Sequence, residues 1–386
     1  MRSIVGMIAT IPLALPIAAS AASLTQSGTT NGLSWTAESL IVGQTSTATA
    51  AGGGNPIYFA NQPKYQGVVT LIMNEGAAGN FICSGSLLSD HISILTAGHC
   101  VSNGTNARPI STTAYFGANT NPDSNVYSDP TSTVIAIKSI SVNPKYTGSV
   151  IDANDIAVLR LSAPAPISFT SYDLYTGNDL SGLGYNIAGY GARSDTGGSV
   201  GANLNPGRLR QGDNTYDFRL GDPIFNGFFT NINPATGKNF FGSTADISNS
   251  YLADFDNGLQ ANNASCLITT AITGTMDGRF CGPKSLGVGA TEVSSAGGDS
   301  GGPQFVEGKI ASVTSYGLSF GMSFGDIDAK LNSSFGEFNG FVPVSSNLDF
   351  INSAIPEPSA WALMIAGFGI VGTSARRARR RQTITA

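Results

Sequence analysis

Residues 297–303 read GGDSGGP, and this stretch decides which folds remain open to the chain. Gly298, Ser300 and Gly302 satisfy G-x-S-x-G, the pattern by which α/β-hydrolases present a nucleophilic serine on a sharp turn. In that class the catalytic histidine follows the serine along the chain, whereas the last histidine here is His99. The catalytic arrangement that remains possible is therefore one in which the histidine precedes the serine along the chain.

A serine hydroxyl becomes a good nucleophile when a histidine takes its proton and a carboxylate orients that histidine. His99 ends LTAGHC, at the close of an apolar run, whereas His91 lies in the polar turn LSDHIS and is predicted to be a surface residue. Asp155 opens the apolar run DIAVLRL, and the nearby Asp152 has more polar neighbours. The sequence predicts His99, Asp155 and Ser300 as the catalytic residues.

The composition favours an all-β protein. Only 12% of the residues are charged, 48 are glycine, and no long amphipathic helix is visible. Runs such as GVVTLIM, FICSGSLL and STVIAIKSISV are short and rich in β-branched residues, as strands are. A Gly- and Asn-rich stretch at 213–262 is predicted to be an insertion, and SSNLDFINSAI near the end a short C-terminal helix.

Both ends carry features of export. Residues 1–22 have one arginine, an apolar run and a small-residue A-x-A site, which predicts a cleaved secretory signal peptide. Residues 23–56 are mostly small and polar and are predicted to be a linker or propeptide. Residues 355–386 contain Pro-Glu-Pro, an apolar run predicted to form a short helix, and five arginines, the order of a membrane stop.

The C-terminal segment closely resembles the PEP-CTERM sorting signal of Gram-negative bacteria. The resemblance implies export across the inner membrane, transient association with that membrane, and processing by an exosortase-type enzyme. The final location would be the medium, the cell surface or the extracellular matrix.

Three stretches in order, LTAGHC, DIAVLRL and GDSGGP, resemble the active-site signatures of the trypsin/chymotrypsin-like serine peptidases. The resemblance implies two six-stranded antiparallel β-barrels over residues 57–354 and no cofactor. It also implies an exported serine endopeptidase that acts on proteins or peptides through an acyl-enzyme. The alternative is a catalytically silent protein of the same fold that binds surface or matrix components.

Further roles follow from the same resemblance. The backbone N–H groups of Gly298 and Ser300 would form the oxyanion hole. Asp299 would pair with a new N-terminal amine after activation cleavage, expected before Ile57 or, as the alternative, before Ile41.

The substrate pocket is also assigned by resemblance. Its predicted residues are Ser294 at the floor, Ser315, Tyr316, Gly317 and Gly340. A serine floor lacks the carboxylate that pairs with Lys or Arg, so an apolar residue before the cleaved bond (P1) is expected. Glu292 and the long 318–339 loop leave this preference open, and Ala296 replaces a cysteine that the family often has.

The four cysteines form an even set in an exported chain and contain no C-x-x-C, so disulfides are favoured over zinc. Of three possible connectivities, the local one is preferred, with Cys83 bonded to Cys100 and Cys266 to Cys281.

Charge argues against nucleic acid as a partner. Removing the two predicted terminal segments removes six of the 20 basic residues but only one of the 25 acidic ones, which leaves a clearly acidic chain. In DFDNG, Asp254, Asp256 and Asn257 offer oxygen ligands for calcium, but an ordinary Asp/Asn turn is the preferred interpretation, and no metal is predicted.

Overall fold

The computed structural model describes residues 25–38, 41–117 and 121–355. The predicted signal peptide and, except for Ile355, the predicted C-terminal sorting segment lie outside these ranges. Within them the chain forms mainly short antiparallel strands with three short α-helices, so the all-β class is confirmed.

The strands in chain order are β1 Gln26–Thr30, β2 Leu33–Glu38, β3 Val42–Gly43, β4 Val68–Asn74, β5 Asn80–Leu87, β6 Ser93–Thr96, β7 Ser111–Phe116, β8 Thr133–Val142, β9 Ala157–Leu161, β10 Gly184–Gly189, β11 Arg210–Thr215, β12 Phe218–Arg219, β13 Tyr251–Asp254, β14 Val293–Ser294, β15 Pro303–Val306, β16 Lys309–Ser319 and β17 Phe338–Pro343. The α-helices are α1 Ala264–Thr273, α2 Gly278–Cys281 and α3 Leu348–Ala354.

The first half of the chain forms a closed barrel of six strands in the order β4-β5-β6-β9-β8-β7. Its interior is filled by buried apolar side chains, among them Val69, Leu71, Phe116 and Leu159. Cys83 on β5 is bonded to Cys100, as the preferred connectivity has it. Closure leaves this sheet without free edges, so its rim is a rigid support for the loops that follow β6 and precede β9.

The second half is a nine-stranded sheet rather than a second closed barrel of six. Seven strands follow one another in the order β11-β10-β15-β16-β17-β13-β12, and β2, with β1 beside it, is added to β16. The ladder breaks between β11 and β12, which Tyr216 and Asp217 join. Asp217 N–H already donates to Leu252 on β13 (2.9 Å) while Tyr216 N–H donates to Leu183 (3.0 Å), so the chain turns from one end of the sheet to the other there.

The segment predicted to be a linker or propeptide contributes strands to this fold. β1 and β2 form an antiparallel hairpin, called here the N-terminal hairpin (residues 26–38), and β3 pairs with β14. Trp35, Ala37 and Val42 are buried. These strands are hard to predict from the sequence, because small and polar residues surround the few apolar side chains that point into the core.

A buried arginine fixes the chain that follows β3. The Arg210 side chain is fully buried, pairs with Asp123 at 2.7 Å and donates to the carbonyl oxygens of Thr47 and Ala48, each at 2.8 Å. Its guanidinium also lies over the Phe59 ring, 4.5 Å from the centroid. A buried charge needs such partners, so residues 47 and 48 are held firmly in place.

The predicted insertion at 213–262 contains the end of β11 and all of β12 and β13. Between β12 and β13, turns bring together an aromatic cluster of Phe225, Phe229, Phe240 and Phe241, which pack mostly edge to face. After the insertion, the Cys266–Cys281 disulfide joins α1 to α2, again in the preferred connectivity.

The short C-terminal helix predicted near the end of the chain is α3. Across the described ranges, none of the helices has the length and apolar character needed to cross a membrane. The predicted apolar helix of the sorting segment falls outside those ranges.

Candidate active site

His99 and Asp155 lie on neighbouring loops at one rim of the barrel, because β6 and β9 pair directly. His99 Nδ1 is 2.7 Å from Asp155 Oδ2, and the His99 backbone N–H donates to Asp155 Oδ1 at 2.7 Å. Asp155 is buried and also accepts a 2.5 Å hydrogen bond from Ser315 Oγ. A carboxylate held on Nδ1 leaves Nε2 as the nitrogen that can accept a proton.

Ser300 lies in a turn that requires glycine on both sides. Gly298 and Gly301 have φ angles of +102° and +79°, a region that strains other residues. A Cβ on Gly301 would overlap Thr96 Oγ1 and the Ser84 carbonyl. These glycines therefore let the serine turn pack directly against the barrel.

The turn lies against the Cys83–Cys100 disulfide, which follows His99 in the chain. Cys100 Sγ lies 3.6 Å from the Ser300 carbonyl oxygen and 4.0 Å from His99 Nε2. Ser300 is buried, and its Oγ has no hydrogen-bond partner among the described residues. Among the described residues, no protein group therefore holds the Ser300 hydroxyl.

Ser84 on β5 joins the barrel to the serine turn. Its N–H donates to the Ser300 carbonyl (2.8 Å), and its Oγ donates to the Gly298 carbonyl (2.9 Å). The same Oγ accepts the Tyr190 N–H at 3.0 Å. Sequence reasoning missed Ser84, because its position beside a half-cystine gives no sign of these contacts.

Ser84 holds two carbonyl groups of the turn, and two of the turn's backbone N–H donors are left without an acceptor. The N–H of Asp299 donates to Ala296 (2.9 Å), but those of Gly298 and Ser300 donate to no acceptor in the described part of the chain. Two free donors in the turn of a nucleophile are the kind of group that stabilises a developing oxyanion.

The side chain of Asp299 points away from the turn into the protein. It accepts N–H groups from Gly191 (2.8 Å), Ala296 (2.9 Å) and Ile41. Burial raises the pKa of Asp299 to about 7, although these three donors oppose the rise. Ile41 is buried whereas Ile57 is 37% exposed, so the structure brings the less favoured of the two predicted residues to Asp299.

Ser294 is buried and bonded to a residue that the sequence analysis did not single out. Asn339 Oδ1 accepts hydrogen bonds from Ser294 Oγ (2.9 Å), Ser295 N–H (2.7 Å) and Ser295 Oγ (2.8 Å). Asn339 also lies opposite Gly317 in the β16–β17 ladder. The predicted floor residue is therefore bonded to a neutral amide, and the residue that carries this amide pairs with the predicted Gly317.

The other predicted pocket residues serve the β16–β17 packing. Tyr316 is buried, and its OH lies 2.7 Å from Ser250 Oγ. Gly340 lies opposite it, where any Cβ would overlap the Tyr316 ring. Ser315 lies at the irregularity in this ladder and, as noted, contacts Asp155.

Hydrogen bonds hold the loop that carries Ala296 instead of the cysteine common in the family. Ser333 Oγ from the 318–339 loop donates to the Ser295 carbonyl at 2.6 Å, and Asn339 binds the same residue. Glu292 is buried and accepts N–H groups from Asp256 and Val288. Its carboxylate is thus bound to the protein's own backbone.

The rejected alternatives have structural roles. His91 lies in a turn with φ +54°, and its Nε2 is 3.2 Å from Ser171 Oγ. Asp152 is buried and accepts hydrogen bonds from Thr147 and Asn154 within its own loop, whereas Asp155 is the carboxylate bonded to His99.

Two clusters of acidic residues lie apart from the predicted catalytic residues. In DFDNG, Asp254 accepts the Ser265 N–H, and burial followed by the charge of Glu292 raises the pKa of Asp256 to about 9. In the 318–339 loop, one ligand atom from each of three carboxylates lies within 4.8 Å of the others: Asp326, Asp328 and Glu337. These acids accept N–H groups from their own loop, and no ion is assigned to them.

A cleft of about 240 Å³ opens beside His99 and the Cys83–Cys100 disulfide. Its lining is largely apolar, with Met73, Phe81 and Pro109, and Arg108 also lines it. It is a candidate site for one end of a bound peptide.

Two family models match the chain. The Trypsin model matches residues 51–214, which include His99 and Asp155 and end within β11, before Ser300. The model of the PEP-CTERM protein-sorting motif matches residues 354–381. These two matches support the resemblance to the trypsin-like serine peptidases and to the PEP-CTERM sorting signal that the sequence signatures indicated. This motif indicates export and surface or extracellular sorting in Gram-negative bacteria, with processing by an exosortase-type enzyme.

We predict that Ser84→Ala slows the reaction of Ser300 with a fluorophosphonate about tenfold or more. The variant loses two hydrogen bonds of about 1 kcal/mol each, and 1.4 kcal/mol corresponds to a factor of ten. The matched control is Ser86→Ala on the same strand, whose buried Oγ has no partner among the described residues. Equal labelling rates in the two variants would contradict a role for Ser84 in holding the turn.

Proposed function

We propose that this protein is an exported serine endopeptidase that hydrolyses peptide bonds with Ser300, His99 and Asp155. The observation that carries the proposal is the 2.7 Å His99–Asp155 pair beside a glycine turn with two free N–H groups. The alternative of a silent binding protein gives no reason for this combination.

In the proposed mechanism, Ser300 Oγ attacks the substrate carbonyl carbon while His99 Nε2 takes the hydroxyl proton. The oxyanion accepts hydrogen bonds from the Gly298 and Ser300 N–H groups. His99 then gives the proton to the leaving amine, and the acyl group remains on Ser300. Water attacks this ester with His99 again as base, which releases the acid and restores the serine, while Asp155 holds the imidazole throughout.

We predict that Ser300→Ala and His99→Ala each lower the rate of peptide hydrolysis by about 10³-fold or more, because each removes a side chain that takes part in the reaction. His91→Ala is the matched control and should change the rate less than about twofold. Initial rates on a fluorogenic peptide check this. Activity that survives in Ser300→Ala would contradict the mechanism, and an inactive unmodified enzyme that binds surface polymer would favour the silent alternative.

We further propose an apolar P1 residue of moderate size. Ser294 and Asn339 form a buried, neutral and polar floor, which offers no carboxylate to Arg or Lys. Asn339 takes space opposite Gly317, which supports leucine over the larger aromatic residues. The apolar cleft beside His99 supports binding of the residues after the cut.

Among peptides that differ only at P1, we predict that Leu, Phe and Tyr exceed Arg and Lys in kcat/KM by about tenfold or more. Asn339→Gly should raise the Phe/Leu ratio by about tenfold, because it empties part of the pocket. Arg and Lys peptides are the internal control and should remain poor for both enzymes. A clear preference for Arg in the unmodified enzyme would contradict the proposed floor.

We propose that activation occurs by cleavage before Ile41. Its N–H already contacts Asp299, and an ammonium group at this position would favour the charged carboxylate far more than an amide does. Cleavage before Ile57, the first expectation, receives no support from the exposed position of that residue.

We predict that the cut stabilises the fold more at about pH 7.5 than at about pH 5. In the uncut chain the folded pKa of Asp299, about 7, lies above its unfolded value of about 3.9. The folded state therefore binds more protons than the unfolded state between these values, and stability falls as pH rises through this window. An ammonium partner lowers the pKa of Asp299 and so removes this loss of stability. Relative to the uncut chain, the cut protein should therefore gain about 2 kcal/mol in free energy of unfolding between the two pH values.

Urea unfolding of two Ser300→Ala proteins, one starting at Ala22 and one at Ile41, measures this difference. Asp299→Asn in both should remove its pH dependence. The active form should also begin at Ile41 on N-terminal sequencing, and a form that begins at Ile57 would contradict this activation site.

A further inference from the structure

Three arginines lie close together around the start of β11, and they are called here the arginine cluster (Arg193, Arg208 and Arg210). Arg210 pairs with the Asp123 side chain, and Arg208 Nε donates to the Asp123 carbonyl oxygen at 2.8 Å. Arg193 Nε and Nη2 both donate to the carbonyl oxygen of Asn205, at 3.2 and 3.0 Å. Asn205 lies three residues before Arg208, so one short segment joins the second and third of these contacts.

Two of the three charges have no carboxylate partner. Among the described residues, Arg210 has Asp123, but no acid pairs with Arg193 or Arg208. Burial, followed by the charges of Arg210 and Arg208, lowers the pKa of Arg193 to about 10. A buried charge is costly unless an opposite charge lies beside it. An anion from outside the described chain would therefore be stabilised here.

The acid nearest to Arg193 in sequence does not fill this role. Asp195 is exposed, and its Oδ1 accepts a hydrogen bond from Asn203 Nδ2 at 2.6 Å. Arg193 itself is only 4% exposed. The carboxylate is thus bound within its own loop and leaves the arginine without a counter-ion.

Both unpaired side chains keep N–H groups for a ligand. Arg193 Nη1 and the two Nη atoms of Arg208 donate to no described residue, and none of them is among the enclosed atoms without a partner. These nitrogens therefore reach solvent. Guanidinium N–H groups bind a carboxylate through strong, charge-assisted hydrogen bonds, which are often bidentate.

Backbone contacts fix the segment between these arginines. The Gly207 N–H donates to the Tyr190 carbonyl (2.7 Å), and its own carbonyl accepts the Val126 N–H (3.0 Å). Any Cβ at Gly207 would overlap the Tyr127 ring. The arginines are therefore carried by a fixed backbone, which lowers the entropy cost of binding a ligand.

The segment that carries Arg208 also borders the serine turn. A Cβ built on Gly298 would lie 3.6 Å from Pro206 Cβ and 3.4 Å from Ile82 Cγ2. Phe81, the neighbour of Ile82, lines the cleft in which the residues after the cut are proposed to bind. The segment therefore lies on the side of the turn from which the leaving part of a substrate would extend.

We propose that Arg193 and Arg208 form an anion site that binds acidic side chains of protein substrates on the leaving-group side of the cut. The inference rests on the proposed function and adds a substrate class to it, polypeptides with Asp or Glu a few residues after the cut. The substrate carboxylate supplies the missing counter-ion. The chain has a net charge of -5, so a local positive cluster also steers acidic segments to this side of the active site.

The main experiment compares two fluorogenic peptides that are identical up to the cut, with Leu at P1. One carries Glu and the other Gln at about the third to sixth residues after the cut, the reach of an extended chain from the serine turn to the cluster. We expect kcat/KM to be about tenfold higher for the Glu peptide. The difference should lie in KM, because the site touches no reacting atom.

The variant that tests the site is Arg208→Gln, which should lower the Glu/Gln ratio of kcat/KM to less than about twofold. Arg279→Gln is the matched control. It removes the same charge from an exposed arginine on α2 that pairs with Asp277, and the ratio should stay near tenfold. Equal kcat/KM for the two peptides in the unmodified enzyme would overturn the proposal, as would a Glu preference that persists in Arg208→Gln.

Salt provides a test that needs no variant, in case Arg208→Gln does not fold. Raising the ionic strength from about 0.01 M to about 0.15 M shortens the screening length from about 30 Å to about 8 Å, so the Glu preference should shrink. At equal ionic strength, sulfate should reduce it more than chloride does, because sulfate is an oxyanion that fits guanidinium groups. Equal effects of the two salts would indicate diffuse attraction and would overturn a built site.

Failure of the proposed function is distinguishable from failure of this inference. Fluorescence anisotropy of a fluorescein-labelled oligoglutamate peptide with the Ser300→Ala protein measures binding without catalysis. Binding that is lost in Ser300→Ala/Arg208→Gln and kept in Ser300→Ala/Arg279→Gln supports the anion site even if the enzyme hydrolyses nothing. An active enzyme whose binding of this peptide does not depend on Arg208 overturns the anion site alone.

Discussion

The buried carboxylate of Asp299 is the constraint on which the rest of the active site depends. A charge without water around it needs donors, and those donors come from three separate parts of the chain. Satisfying it brings Ile41, Gly191 and Ala296 together around the residue before the nucleophile. Glycine at 191 is required, because a Cβ there would overlap the carboxylate. The free N–H groups of Gly298 and Ser300 belong to the same turn, on either side of Asp299 in the chain.

The sequence predicted well those parts in which local pattern and chemistry coincide. Short β-branched runs gave most strands of the barrel, and the order of His99, Asp155 and Ser300 along the chain selected the fold. The even number of cysteines and the short spacing within each pair predicted the disulfide pairing that the structure has. These features depend on residues that are close in sequence or have few chemical alternatives.

Other features depend on pairing between distant segments and could not be predicted. The N-terminal hairpin has little apolar content, and its partner on β16 lies some 280 residues away. Asn339 has no local sign of the three hydrogen bonds that it accepts. The break between β11 and β12 reflects a bend at Tyr216 and Asp217 that no turn motif marks. The match to the Trypsin model also ends close to this bend, at residue 214.

The anchoring of Thr47 and Ala48 by Arg210 has a further consequence for the chain that begins at Ile41. A new amine there would be tied to the body of the protein by only a few residues. Such a short tether gives an effective concentration near Asp299 in the millimolar range or above, whatever the concentration of the enzyme in solution. Ordering of the serine turn would then be an intramolecular equilibrium. Dilution after export would not reverse it, and loosening the tether at Arg210 would weaken it without touching any group at the active site.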